Sequence, residues 1–262
     1  MSDQAKLAVV VADLRRRVTL RLSGEGLNVG AWTPDGREIV FGWIADGPRN
    51  LFRRMADGSR APERLTRSAN AQFAGAFVPN SSEMLFVETR PRTGSDILLF
   101  DAARPDAGTH PVVESPFNDE FPALSPDSRW LAFTSNESGQ QEVYVAAYPA
   151  LNGKQQISSA GGRMPSWSAS GRQLFYLRPL TDGQSEMMRV DVVAEPAFRA
   201  GAPVPLFRGP YQTSASLRTY DVAADGRFLM VEAPTVDDTP PVQTVQIVLN
   251  WFEELRRLVP SK

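Results

Sequence analysis

Apolar residues in this chain come in short runs that are separated by turns rich in Gly, Pro, Asp and Ser. Short apolar runs bounded by turn residues predict β-strands, whereas amphipathic helices would need ten or more residues with a 3.6-residue period. Five units share one pattern, in which a polar turn leads into an apolar strand. The turns contain Pro34, Pro79, Pro126, Ala169 and Ala224.

We call these five residues the anchors and the turns around them the anchor turns. Successive anchors are 45, 47, 43 and 55 residues apart. In such turns Pro presets the φ angle, Asp or Asn bonds its own backbone, and Gly accepts a positive φ. We therefore interpret the anchor turns as hairpin turns, and the Asp residues in them as structural rather than catalytic.

A second landmark recurs 16 or 17 residues after each of the first four anchors, where a polar residue opens another apolar run. These residues are Asn50, Asp96, Glu142 and Glu186. A fourth short run follows in each unit, for example at 63–66, 111–113, 155–158 and 204–207. Four strands per unit of about 45 residues are typical of the blades of a β-propeller, which stack because one sheet cannot bury both faces alone. The sequence predicts an all-β fold, with a single propeller domain over residues 1–262.

The chain ends leave the blade count open. Residues 6–11 and 17–22 resemble the third and fourth strands of a blade, and residues 228–231 and 245–249 the second and third strands of the last unit. We expect the N-terminal strands to complete that last blade and so hide its edges. Two third strands are one too many for five blades, so either one is an extra outer strand or the ring is cut down from six. Residues 250–258 are predicted to form a helix, with Asn250 as its cap, that packs on the propeller rim.

Composition removes several function classes. The net charge of −2 gives no electrostatic basis for binding nucleic acid. The chain has no Cys and one His, which excludes disulfides, thiolate chemistry and Cys-based zinc sites. No Asp-x-Asp-x-Asp-Gly calcium loop is present, and no apolar run is long enough to span a bilayer. We expect no metal, no cofactor and no membrane segment, while the compartment stays open.

Catalytic motifs are also missing from the sequence. It has no Gly-x-Ser-x-Gly elbow and neither the Gly-rich loop nor the His-Arg-Asp loop of kinases. His110 opens a fourth strand on the outer rim, away from any concave site. The residue six positions before each anchor opens the innermost strand; these are Asn28, Phe73, Glu120, Arg163 and Arg218. One acidic blade facing two Arg-bearing blades is not the two-carboxylate site of a glycosidase.

The same positions suggest recognition instead of catalysis, since loops of separate blades converge at the end of a propeller channel. The predicted ring at this channel mouth consists of Asn28, Gln72, Phe73, Asp119, Glu120, Arg163 and Arg218. We expect it to bind a peptide of a protein partner or a small anionic ligand. The alternative is a set of salt bridges between blades around a water-filled channel.

Residues 124–135 resemble the TolB-type, WD40-like repeat, whose mark is a Ser-Pro-Asp-Gly turn before an apolar strand. More narrowly, residues 142–145, 156–163 and 248–255 resemble the C-terminal propeller of bacterial eukaryotic-like serine/threonine kinases. This resemblance implies a sensor or protein-interaction domain, extracytoplasmic if it is tethered to a membrane. That family usually shows six anchors and a preceding kinase domain and membrane helix, whereas five anchors are present here, two of them drifted at 80–82 and 169–171.

Three functions therefore stay in view. The leading one is a non-catalytic binding module of the kinase-associated type. The second is a periplasmic interaction component like TolB, and the third is a propeller hydrolase or the accessory domain of a peptidase. An inward pair of close carboxylates would favour the third.

Overall fold

The structure is a computed structural model that describes residues 8–13, 18–21, 30–194, 197–214, 217–233 and 244–249. The predicted helix at 250–258 and the site residue Asn28 lie outside these ranges. Within them the helical structure is a short 3-10 turn, Pro105–Ala107. No helix of the described ranges is long and apolar enough to cross a membrane.

The strands fall into five blades and one further sheet. Blade 1 contains β3 (Ala31–Trp32), β4 (Glu38–Trp43), β5 (Asn50–Met55) and β6 (Glu63–Arg64). Blade 2 contains β7 (Ala71–Phe77), β8 (Glu83–Arg90), β9 (Gly94–Asp101) and β10 (Thr109–Val113). Blade 3 contains β11 (Asp119–Leu124), β12 (Trp130–Ser135), β13 (Glu142–Ala147) and β14 (Gln155–Gln156).

Blade 4 has five strands, namely β15 (Arg163–Trp167), β16 (Gln173–Pro179), β17 (Ser185–Val193), β18 (Arg199–Ala200) and β19 (Val204–Gly209). Blade 5 is the hairpin of β20 (Tyr220–Val222) and β21 (Phe228–Met230). The sixth sheet, here called the terminal sheet, contains β1 (Ala8–Asp13), β2 (Val18–Arg21) and β22 (Thr244–Leu249). Each predicted strand of the repeat coincides with an observed one.

The blades are arranged as in a β-propeller. In blades 1 to 3 consecutive strands pair antiparallel, and in blade 4 both β18 and β19 pair antiparallel with β17. The first strands of neighbouring blades contact each other in chain order, from β3 through β7, β11 and β15 to β20. These strands therefore line the axis, and the fold class predicted from the sequence is confirmed.

The hydrophobic core lies between blades rather than within them. Leu85 and Ile97 of blade 2 pack with Leu131 and Phe133 of blade 3, and each of the four is almost fully buried. Similar clusters join blades 1 and 2, 3 and 4, and 4 and 5. Burying one such side chain contributes roughly 1.5–3 kcal/mol, so each blade depends on its neighbours for stability.

All five anchor turns have the same geometry, including the two drifted ones. The backbone N–H of the fourth residue donates to the carbonyl of the first over 2.8–3.1 Å. Each turn holds one residue in the left-handed region, and these are Gly36, Asn80, Ser128, Gly171 and Gly226. Asp35 accepts from Thr33 Oγ1 over 2.6 Å, and this bond lowers the pKa of Asp35. The structural role expected for the anchor-turn Asp residues agrees with this geometry.

The pairing at the chain ends agrees with the prediction in that an N-terminal strand joins the C-terminal one, but the rest of the predicted last blade differs. β22 does not join β21; it pairs in parallel with β1, from Ala8 opposite Thr244 to Asp13 opposite Leu249. The segment after β21 is bonded instead to the loop before blade 5, where Gln212 N donates to Val231 O over 2.9 Å. Val11 of β1 packs into blade 1 beside Ile39 and Phe41. An apolar run specifies a strand but not its partner, which is why the sequence misplaced this contact.

Two of the polar residues that open the third strands, Asn50 and Glu142, are buried clasps. Glu142, at 1% exposure, accepts hydrogen bonds from Ser158 Oγ, from Gln140 Nε2 at 2.6 Å and from the backbone N–H of Gly161 at 2.9 Å. Asn50 plays the same part in blade 1, where it exchanges two hydrogen bonds with the backbone of Ser68. Each clasp ties a third strand to the segment that leads into the next blade.

We predict that Glu142→Ala lowers the free energy of unfolding by about 2–4 kcal/mol, since it leaves the buried Ser158 hydroxyl and the half-buried backbone N–H of Gly161 without their acceptor. Guanidinium denaturation at pH 7 measures this loss. The matched control is Asp106→Ala at an exposed turn, which should change stability by no more than about 0.5 kcal/mol. A loss below about 1 kcal/mol for Glu142→Ala would contradict the clasp.

Candidate functional site

The channel along the axis has two ends. The innermost strands start at one end, where the sequence placed the predicted ring, and finish in the anchor turns at the other. We call these the start end and the anchor end. The described residues allow both to be compared.

Two of the predicted residues are buried and engaged within the blades. Gln72 and Asp119 occupy equivalent positions and are each 1% exposed. Gln72 Nε2 donates to Glu88 Oε2 over 2.7 Å, and Asp119 Oδ2 accepts from Ser115 Oγ over 2.6 Å. Burial raises the pKa of Asp119 in spite of that hydrogen bond. Both side chains secure the start of an innermost strand.

Phe73 contributes a contact between blades 1 and 2. The Arg49 guanidinium lies 4.8 Å from the centre of the Phe73 ring, a cation–π geometry. Burial lowers the pKa of Arg49. This pair closes the seam between β7 and the preceding blade.

Glu120 and Arg163 form the ion pair at the start end. Glu120 Oε2 lies 3.9 Å from Arg163 Nη2 on the next blade, and the side chains are 15% and 19% exposed. Glu120 Oε1 accepts from Ser95 Oγ of blade 2 over 3.3 Å, so Glu120 connects three blades. Burial raises the pKa of Glu120 and outweighs the opposing effect of Arg163. The pair is therefore too loose to offset the desolvation of the carboxylate.

The backbone beside this ion pair is strained. Phe121 and Met164 directly follow Glu120 and Arg163, and both have left-handed φ angles, of 52° and 58°. Such angles are rare for large side chains, and each residue interrupts the pairing of its strand as a bulge. A bulge turns neighbouring groups out of the sheet, which here directs them towards the adjacent blade.

Arg218 bonds to the backbone of blade 4 and forms no ion pair with Glu120 among the described contacts. Its Nη1 donates to the carbonyls of Met164 over 3.3 Å and Pro165 over 2.8 Å, and its guanidinium lies 5.9 Å from the Tyr220 ring centre. Tyr220 Oη donates to the same Met164 carbonyl over 2.5 Å. Blade 5 is thus joined to the bulge of blade 4.

The structure brings two of the seven predicted residues, Glu120 and Arg163, into one contact. The contacts of Phe73 and Arg218 resemble the alternative of links between blades, whereas Gln72 and Asp119 bond within their own blade or to the loop before it. Ligand binding by the ring stays a prediction.

A concave site opens at the anchor end, where the sequence did not place one. This central pocket has a volume of about 450 Å³. Its lining consists of Ala76, Phe77 and Pro79 of blade 2; Ala123, Leu124 and Pro126 of blade 3; Ser166, Trp167, Ser168 and Ala169 of blade 4; and Arg218, Asp221, Val222 and Ala224 of blade 5. Trp167 Nε1 donates to Ala123 O over 3.1 Å and fixes the wall between blades 3 and 4.

The repeat contains a sequence pattern that indicates this pocket, although we interpreted the anchor turns only as hairpin turns. Three residues before each of the anchors at 79, 126 and 169 stands a small residue, Ala76, Ala123 or Ser166. Small side chains at equivalent positions of adjacent innermost strands leave space at the axis. Arg218, which the sequence placed in the ring at the start end, also lines this pocket and gives it a positive charge.

The pocket contains little that could perform catalysis. Its ionisable side chains are Arg218 and Asp221. Across the described ranges, no three His, Cys, Asp or Glu side chains lie close enough to hold a metal ion. His110 is exposed on β10, the outermost strand of blade 2, as the sequence predicted.

Blades, axis and pocket define a β-propeller, and solved structures carry the same fold. A protein assigned as TolB from Agrobacterium tumefaciens matches with a TM-score of 0.56 and 14% identity, over 77% of this chain and 88% of that one. TolB from Acinetobacter baumannii matches with a TM-score of 0.59 and 16% identity, over 73% of this chain and 48% of that one. An oligogalacturonate lyase in complex with manganese matches with a TM-score of 0.59 and 15% identity, over 87% of this chain and 65% of that one.

At these identities the likeness concerns the fold alone. No protein-family model matches the sequence, and no curated protein matches it. The propeller expected from the TolB-type resemblance is supported, while the narrower relation to kinases is not shown.

We predict that Glu120→Gln gains stability relative to the wild type as the pH rises from 4 to 7. The pKa of Glu120 is raised in the folded state, so its carboxylate favours folding when protonated and loses that contribution as it ionises. Glutamine cannot ionise and avoids this loss. Urea denaturation of both proteins at several pH values measures the difference.

Asp106→Asn, which removes an exposed carboxylate from the 3-10 turn, is the control and should show no such trend. A difference between Glu120→Gln and wild type that stays constant with pH would rule out the raised pKa.

Proposed function

We propose that this propeller is a non-catalytic binding module and that its central pocket takes a peptide segment of a partner protein. The observation that carries the proposal is the pocket itself, formed by the innermost strands and anchor turns of four blades. Sites built from elements far apart in sequence are the usual binding sites of such folds.

The lining suits a short apolar stretch of peptide. Phe77, Leu124 and Trp167 supply large apolar surfaces, and Pro79 and Pro126 add rigid edges. Ligand sites typically combine such surfaces with a few polar groups that set orientation, and volumes from about 300 Å³ upwards are common. Ser168, Arg218 and Asp221 supply the polar groups here.

The pocket also has the rigidity that binding requires. Its walls are tied across blades by the Trp167–Ala123 hydrogen bond and by the bonds from Arg218 to blade 4. Preorganised walls reduce the entropy lost on association and so favour affinity.

The cellular setting of this role is the finer part of the proposal. The sequence resemblance favours a sensor domain of a membrane-tethered kinase, and the likeness to TolB structures favours a periplasmic interaction component instead. The reading frame upstream of the first residue discriminates between them. A kinase domain followed by one apolar span of about twenty residues supports the sensor, and its absence overturns that setting.

We predict that Ala169→Trp weakens peptide binding at least about tenfold, because the exposed Ala169 lines the pocket and an indole there would occupy it. An equimolar mixture of synthetic hexapeptides is the probe. Captured peptides are identified by mass spectrometry and titrated by calorimetry.

Ala103→Trp, at an exposed position that follows β9, is the matched control and should bind as the wild type does. Equal binding by Ala169→Trp and wild type would refute the pocket as the site, as would the capture of no peptide at all.

A further inference from the structure

We infer that the central pocket recognises a C-terminal peptide end, with the terminal carboxylate held by Arg218. The inference rests on the proposed function and names the ligand group that the pocket would select. It depends on the hydrogen bonds and ion pairing of Arg218, on the depth of its side chain in the pocket and on the residues that line the pocket around it.

Arg218 is a cation without a carboxylate partner. Across the described ranges no Asp or Glu forms an ion pair with it, in contrast to Arg163, which has Glu120. Its two hydrogen bonds to the carbonyls of blade 4 both leave from Nη1. A guanidinium has five donors in a fixed fork, so these two bonds do not exhaust its capacity to bind a planar acceptor.

The two carbonyl bonds also fix how the guanidinium is presented. Carboxylates bind Arg through two parallel hydrogen bonds along one edge, and an edge held in advance loses little freedom on binding. The contact with the Tyr220 ring limits rotation further. Arg218 is thus set up for a carboxylate in a way that a freely rotating surface Arg is not.

Depth favours a chain end over an internal acidic residue. The carbonyl of Pro165 lies two residues before the end of β15 at Trp167, which is roughly 7 Å along an extended strand, and the anchor turn lies beyond that. A peptide that carried an internal carboxylate to this depth would have to leave again, past its own incoming chain or down the channel. A peptide that enters with its C-terminus first places its carboxylate at this depth without having to turn back.

The position of Asp221, the other charged side chain of the pocket, is compatible with a peptide that enters with its C-terminus first. Asp221 is exposed, whereas Arg218 is half-buried, so the acidic group of the pocket lies nearer to solvent. Upstream residues of an entering C-terminus would pass Asp221, where a basic side chain is favoured. Between the two charges, Trp167, Leu124 and Phe77 would contact apolar side chains of the last residues.

The test compares two equimolar hexapeptide mixtures of the same sequences, one with free C-termini and one amidated. The best captured peptide is then titrated in both forms. We expect the free acid to bind at least about tenfold more tightly than the amide, as for a hydrogen-bonded charge pair. In Arg218→Gln the ratio should fall to near one.

Arg208→Gln, which removes an exposed Arg from the outer strand β19, is the matched control and should keep the preference. Arg218→Lys keeps the positive charge but not the planar guanidinium, so its ratio of acid to amide affinity should be intermediate. If thermal melts show that Arg218→Gln does not fold, Arg218→Lys replaces it in the test.

The outcomes separate the two proposals. Equal binding of acid and amide overturns the C-terminal inference, and so does an acid preference that persists in Arg218→Gln. In either case the binding function stands if Ala169→Trp still abolishes capture. Binding that is insensitive to Ala169→Trp overturns the pocket, and the inference with it.

Discussion

Contact between blades is the constraint on which the rest of this structure depends. A four-stranded sheet has two apolar faces and cannot bury both by itself. In this chain the largest buried side chains, such as Phe86 and Phe133, lie in clusters shared by two blades. Polar groups follow the same rule, since Glu120 and Arg218 reach across seams between blades. The channel and its pocket are the space that this stacking leaves at the axis.

The sequence predicted the local elements well because their causes are local. The turn at Ala169 lacks both Pro and Asp, yet Ser168, Gly171 and a five-residue loop reproduce the hairpin geometry, with Gln173 N bonded to Ser168 Oγ over 3.1 Å. The pairing of β22 with β1 could not be predicted in the same way. It depends on which edges are free once blade 5 has closed, and that is a property of the assembled chain.

The candidate site was predicted less completely for a related reason. Strand position correctly placed Glu120 and Arg163 together, because neighbouring blades bring equivalent positions side by side. It could not give the contacts of Arg218, whose long side chain reaches Pro165, or those of Gln72, whose partners are within its own blade and the preceding loop. Side-chain reach and burial are set by packing, and a repeat pattern does not contain them. The pocket at the anchor end follows from small residues that each looked unremarkable in their own turn.

The left-handed conformation of Met164 has a consequence for how this molecule would respond to occupancy. One carbonyl, turned out of its strand, accepts from both Arg218 and Tyr220, so the proposed ligand contact at Arg218 and the seam between blades 4 and 5 share an atom. A ligand that binds only the folded protein stabilises whatever its contacts hold in place. Occupancy at Arg218 is thereby linked to the retention of the hairpin of blade 5, for which the described residues give two strands, against four or five in blades 1 to 4. A ligand bound in the channel would therefore oppose the detachment of blade 5 from blade 4.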